Sequence, residues 1–252
     1  MTFTAENFED LLNFYKDNCK IQNNAKDVYQ TLTEISKSDN DDSKPIIEND
    51  SIFLFNLDNL CYNSYLSKSG HISKDLPSSV DALYFSNTMF LIEFKGEYVY
   101  YPDNRRKLKE IIDLFENDEK YAVVSNELIN LLKDIHDRYE DRVLSQLKTK
   151  PIESIFLVLP KLYEYYCDKK KIKCDKVEFM SWLFNISKRI IIVFLDDEFE
   201  SEKGKSKSYK YLRRNNSLKT KYKPLVGLVN AHNSIITKSE FEELYLDKFS
   251  NS

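Results

Sequence analysis

The fold that this sequence predicts is α/β with a mixed sheet. Three observations lead to it. Helix-like and strand-like stretches run in the order helices, hairpin, helices, strand, helix. The run "RIIIVFLDDE" at 189–198 is continuously apolar and β-branched, as befits a central strand covered on both faces. Finally, 252 residues at 42% hydrophobic composition are enough to bury a core without staples.

Along the chain, residues 4–36 have helical spacing, with Phe8, Leu11, Leu12 and Tyr15 on one stripe and Val28, Leu32 and Ile35 on another. "SKSDNDDSKP" at 36–45 has the composition of a solvated linker. An N-terminal helical region with its linker is therefore expected over 1–45, and an α/β domain over 46–252. "SIFLFNLDNLCYNSYL" from Ser51 fits a buried strand or an amphipathic helix, its second half being the more helical, and 67–79 reads as loop. "VDALYFSNTMFLIEFKG" at 80–96 is two apolar strands about a polar turn. "EYVYYPDN" extends it until Pro102 and Asp103 end the strand and Asn104 caps a helix. A helical insertion of three or four helices is expected over 104–187, ahead of the apolar strand. "LVGLVNAHNSIIT" at 225–237 supplies a further strand, and "KSEFEELYLDKF" at 238–249 a closing helix.

Composition narrows the function classes. Cys19, Cys61, Cys167 and Cys174 form no CxxC pair, and His71, His136 and His232 lie far apart, so neither a disulfide framework nor a zinc knuckle is indicated. Four free thiols point to a reducing, cytoplasmic setting. The N-terminus "MTFTAENFED" is acidic where a signal peptide is basic and then apolar, and no apolar run approaches 18 residues, so no membrane partner is expected. The net charge of −4 is unevenly spread. Residues 203–223 hold nine Lys/Arg and no acid, so removing them leaves −13 on the other 231 residues. In that segment Lys205, Lys207, Lys210, Arg213, Arg214, Lys219, Lys221 and Lys223 are interleaved with Tyr209, Tyr211 and Tyr222. Phosphate-pairing cations beside stacking rings are the ingredients of nucleic-acid binding, and the lysines at 169–173 extend them.

The hairpin carries three charges that an apolar ribbon does not need: Asp81, Glu93 and Lys95. A turn centred on Asn87 places Asp81 directly opposite Glu93, with Lys95, Leu91 and Met89 on the face of Glu93 and Ala82, Tyr84, Ile92 and Phe94 behind. Opposed Cβ atoms lie about 4.5–5.5 Å apart, and like charges at that spacing repel. A divalent cation removes the conflict, since Mg²⁺ is commonly held by one or two carboxylates. Three other acidic-x-Lys triplets begin at Asp42, Asp118 and Asp168, but none lies in an apolar strand.

Asp81, eleven intervening residues and then Glu93-Phe94-Lys95 on adjacent strands resemble the active-site pattern of the PD-(D/E)xK nuclease superfamily. Val80 stands where the pattern's name has Pro. The resemblance covers about residues 45–100 and, loosely, strand 189–195. It implies a restriction-endonuclease-like mixed β-sheet flanked by helices, and an endonuclease using Mg²⁺ or Mn²⁺. Asp81, Glu93 and the backbone carbonyl of Phe94 would bind the metal, and Lys95 would assist the attacking water. Such nucleases often carry one more upstream acid, for which Glu34, Glu48 and Asp58 are candidates, and His71 is a further candidate ligand. Lys133, Arg142 and Gln146 are candidates to contact the scissile phosphate. The implied partner is nucleic acid, DNA ahead of RNA, and a homodimer is compatible with it. The alternative is a non-catalytic nucleic-acid-binding or protein-interaction module in which the three charges serve structure.

Overall fold

The computed structural model describes residues 2–18, 24–37, 45–66, 69–72, 76–95, 103–117, 126–194 and 230–250, apart from the side chains of 103–107, 136–148 and 194. Six strands form one open mixed sheet in chain order: β1 (Tyr29–Thr31), β2 (Phe53–Asn56), β3 (Ala82–Phe85), β4 (Met89–Lys95), β5 (Lys188–Phe194) and β6 (Ala231–Thr237). The first three pairings are antiparallel, while β4–β5 and β5–β6 are parallel. Parallel neighbours need long connections. The helical stretch after β4 provides one, and residues 195–230 the other.

Helices cover both faces. The even-numbered residues of β4 (Phe90, Ile92, Phe94) share a core with Ala82, Tyr84, Ile191, Val193 and Ile236, under Phe241, Tyr245 and Phe249 of the final helix α8 (Lys238–Ser250). Thr237 and Glu240 start that helix through reciprocal hydrogen bonds of 3.2 and 3.0 Å, a capping box. On the other face α1 (Ala5–Asn18), α6 (Leu159–Lys170) and α7 (Lys176–Asn185) bury Phe8, Leu12, Leu162 and Phe179. Phe8 meets Phe85 edge-on, at 4.9 Å between centroids. The apolar run at 189–194 lies between two parallel neighbours, with Ile190 to Val193 buried as expected.

Three expectations change. The helical stripe through Val28, Leu32 and Ile35 is instead the edge strand β1 followed by the single turn α2 (Leu32–Ile35). Thr31 and Glu34 form a capping box, so the helix begins only after Thr31, and Tyr29–Thr31 pair with β2. The undecided run from Ser51 is both alternatives in turn: β2, then α3 (Leu57–Tyr65), where Asn56 caps by accepting from the Asn59 amide at 2.9 Å. The chain divides at neither expected boundary. One compact unit comprises 1–96 and 149–252, and the other comprises 97–148. The N-terminal region groups with the sheet because β1 is one of its strands.

The smaller unit contains α4 (Asp103–Asn117) and most of α5 (Asn126–Glu153). The last turn of α5 belongs to the larger unit and continues through a π-helical turn (Ser154–Val158) into α6. Pro160 lacks the N–H that would close a regular turn onto Phe156. The turn widens instead, and the Leu159 amide donates to Ser154 O, five residues back. The extension expected at 97–101 and the basic segment 203–223 lie outside the described residues.

Candidate active site

The β3–β4 register pairs Ala82 with Ile92 and Phe85 with Met89, and its continuation by one pair sets Asp81 opposite Glu93. That is the register expected from a turn centred on Asn87. Asp81 ends the approach to β3 and is pinned at both its main chain and its side chain. The Leu57 amide, at the start of α3, donates to Asp81 O (3.0 Å), and the Phe94 amide donates to Asp81 Oδ2 (2.6 Å). The Phe94 main chain therefore lies beside the Asp81 carboxylate.

Glu93 is almost wholly enclosed, 1% exposed, beside Leu91 and the register-paired Ile192. Its Oε1 accepts from Lys150 Nζ at 2.8 Å and pairs with Lys95, while Oε2 is buried without any hydrogen-bond partner. Lys150 also reaches Asp81 Oδ1 at 3.5 Å. Two carboxylates and two ammonium groups therefore converge, with both cations on the same oxygen of Glu93. A buried carboxylate oxygen left bare costs the fold its desolvation energy, about 1–3 kcal/mol or more for a charged group.

The electrostatics follow from this crowding. Burial first, then repulsion by Glu93, pushes the Asp81 carboxyl up to about 7, against the pull of Lys150 and Lys95. A fifth of the Asp81 side chain still meets solvent, so the group is recessed and accessible at once. Burial alone would lower the Lys150 ammonium, but Asp81 and Glu93 outweigh it and hold its pKa above that of an ordinary lysine. The neighbouring Cys61 thiol is pushed up to about 12 by burial, Asp58 and Glu153, which leaves it protonated and unsuited to nucleophilic work.

Of the other sequence candidates, Asp58 comes nearest. It sits in the first turn of α3, its Oδ1 accepts from the Ser79 hydroxyl, and its charge acts on both Asp81 and Lys150. Glu34 is taken up by the Thr31 capping box. Glu48 and His71 are exposed, and neither is among the charges acting on Asp81. Lys133 pairs with Glu116 in the smaller unit, and the side chains of Arg142 and Gln146 lie outside the described residues. Among the described residues no group of three His, Cys, Asp or Glu side chains is arranged to hold a metal, so any cation here would rest on the carboxylate pair and main-chain oxygens.

Lys150 is the member of this cluster that sequence reasoning missed, and Ser154 fixes its turn of helix in place. Ser154 Oγ donates to Lys150 O (2.7 Å) and accepts from the Val80 amide (3.0 Å), tying this turn of helix to the residue before Asp81. Ser154, Val158 and Leu162 are a fully buried stripe that Lys150 continues one turn back, but helical spacing alone does not report a partner on a distant strand. No family model matches the chain, and neither a curated protein nor a solved structure does.

Proposed function

We propose that the chain is a metal-dependent nuclease of the PD-(D/E)xK kind, hydrolysing phosphodiester bonds of nucleic acid, with DNA favoured and Mg²⁺ or Mn²⁺ as the cation. The bare, buried Oε2 of Glu93 opposite a second carboxylate is the observation that supports it most, because a dication satisfies both. The mixed sheet is compatible with a restriction-endonuclease-like reading: the hairpin that bears the pattern is followed, across helices, by a parallel neighbour. Asp81 and Glu93 would hold the cation, with the Phe94 carbonyl and Asp58 as further donors. When bound, the cation would polarise the phosphate and lower the pKa of its water.

The chain's own cations divide the remaining work. Lys95, a quarter exposed and paired with Glu93, would orient the attacking water. Lys150 holds the Glu93 carboxylate and adds positive charge where the phosphoryl oxygens gather negative charge. The basic segment 203–223 would bind the substrate backbone through its lysines and arginines.

One observation favours the non-catalytic reading: two lysines already balance two carboxylates, as a structural ion cluster would. Incubation of the purified protein with supercoiled plasmid, single-stranded DNA, branched DNA and RNA, each with Mn²⁺ or EDTA, separates the two. Cleavage with Mn²⁺ alone is expected, falling at least about a hundredfold in Asp81→Asn and in Glu93→Gln. Cleavage that survives both substitutions in clean preparations sinks the proposal. Binding without cleavage of any of the four substrates leaves the ion-cluster reading standing.

A further inference from the structure

Several lysines on the helical layer over the site's face of the sheet lie on aromatic rings instead of on carboxylates. Lys26 Nζ is 4.5 Å from the centroid of Tyr62, Lys161 is 5.5 Å from Tyr65, Lys169 is 5.1 Å from Tyr165, and Lys170 is 5.6 Å from Phe14. Lys161, Tyr165 and Lys169 recur every four residues of α6 and so form one ridge, while Tyr62 and Tyr65 belong to α3, which packs on α6. At the start of α3, one turn before Tyr62, Asp58 follows Leu57, whose amide donates to Asp81 O at 3.0 Å, so the α3 end of this surface begins at the candidate site.

The position of Lys26 is built. Asn63, 4% exposed, accepts from the Lys26 amide at 2.8 Å and donates to the Lys26 carbonyl at 2.7 Å, and the Asn59 side chain donates to Asp27 O at 2.6 Å. These bonds fix the main chain from which the exposed Lys26 side chain reaches over Tyr62. A ring face attracts an ammonium group without taking its N–H donors, so the charge stays available to an anion, whereas a carboxylate would neutralise it. Among the described residues no carboxylate lies within ion-pairing distance of Lys26, Lys169 or Lys170, and Lys161 has only the half-buried Glu164, at 3.6 Å.

We propose that Lys26, Lys161, Lys169 and Lys170, each seated on an aromatic ring, form a phosphate track that carries a nucleic-acid strand across α3 and α6 to the Asp81–Glu93 site. The dimensions suit a strand. Nine residues of helix span about 13 Å, long enough to follow more than one phosphate of a strand. The track deepens the nuclease reading by naming a second substrate-binding surface apart from residues 203–223, and it rests on that reading for its partner.

The test measures how affinity for a single-stranded oligonucleotide depends on salt, in EDTA so that no cutting intervenes. Removing one lysine–phosphate pair lowers the slope of log K against log[salt] by about 0.7. The fourfold Lys→Gln variant should therefore lose roughly 3 units of slope, and the fourfold Lys→Arg variant should keep it. A wild-type slope in the Gln variant overturns the track, as does an effect confined to vesicles of anionic lipid, which would mark a membrane-facing surface instead. If the slope falls while wild-type protein cuts nothing, the track stands and the nuclease reading alone fails.

Discussion

At Asp81 burial and the carboxylate of Glu93 both favour the neutral acid, and two lysines only partly offset them. A carboxyl whose pKa is higher folded than unfolded binds protons preferentially in the native state between the two values. Its ionisation therefore costs stability as pH rises from about 4 to about 7, and the full cost remains above that window. Asp81→Asn should consequently stabilise the metal-free protein at pH 8, by up to a few kcal/mol at about 1.4 kcal/mol per pKa unit, and so raise its melting temperature. It should also abolish any further rise on adding Mn²⁺. A variant that melts lower than wild type in EDTA, or still responds to Mn²⁺, contradicts the assignment. This pairing was legible in the sequence because a tight turn and the two-residue period of strands fix which side chains oppose. Lys150 was not. It reaches Glu93 across 57 residues of chain, and no local rule reports such a contact.

The π-helical turn shows why an element can matter more than its length suggests. Two prolines, Pro151 and Pro160, bracket it, and each withholds a helical N–H. What secures the turn against the sheet is Ser154, fully buried, bonded at once to Lys150 O and to the Val80 amide. Ser154→Ala would leave that buried amide unsatisfied, at about 1–3 kcal/mol. The urea midpoint should fall with an unchanged m-value, and an unaltered midpoint would show that the contact carries no weight. Element type was readable where periodicity ran long, as in α1 and β5. It failed at β1, where three residues pair with a strand distant in sequence and an apolar spacing of 28, 32 and 35 imitates a helix.

For the molecule as a whole, the most costly group is Lys188, fully buried at the start of β5, where its Nζ donates to Ile186 O at 2.8 Å. Burial pushes its pKa down to about 8. The unfolded chain then holds the extra proton between pH 8 and the ordinary lysine value near 10.5, so wild-type stability should climb through that interval. Lys188→Met should be the more stable protein at pH 7, by an amount on the order of a few kcal/mol, and the gap should close towards pH 10.5. Equal pH profiles for the two proteins would refute this. The β4–β5 register has a further consequence, because it pairs Lys95 with Phe194, the last described residue before the basic stretch. Nine peptide units separate Phe194 from Lys203, a tether of at most about 30 Å. That length caps how far the first of those cations can stray from the end of β5.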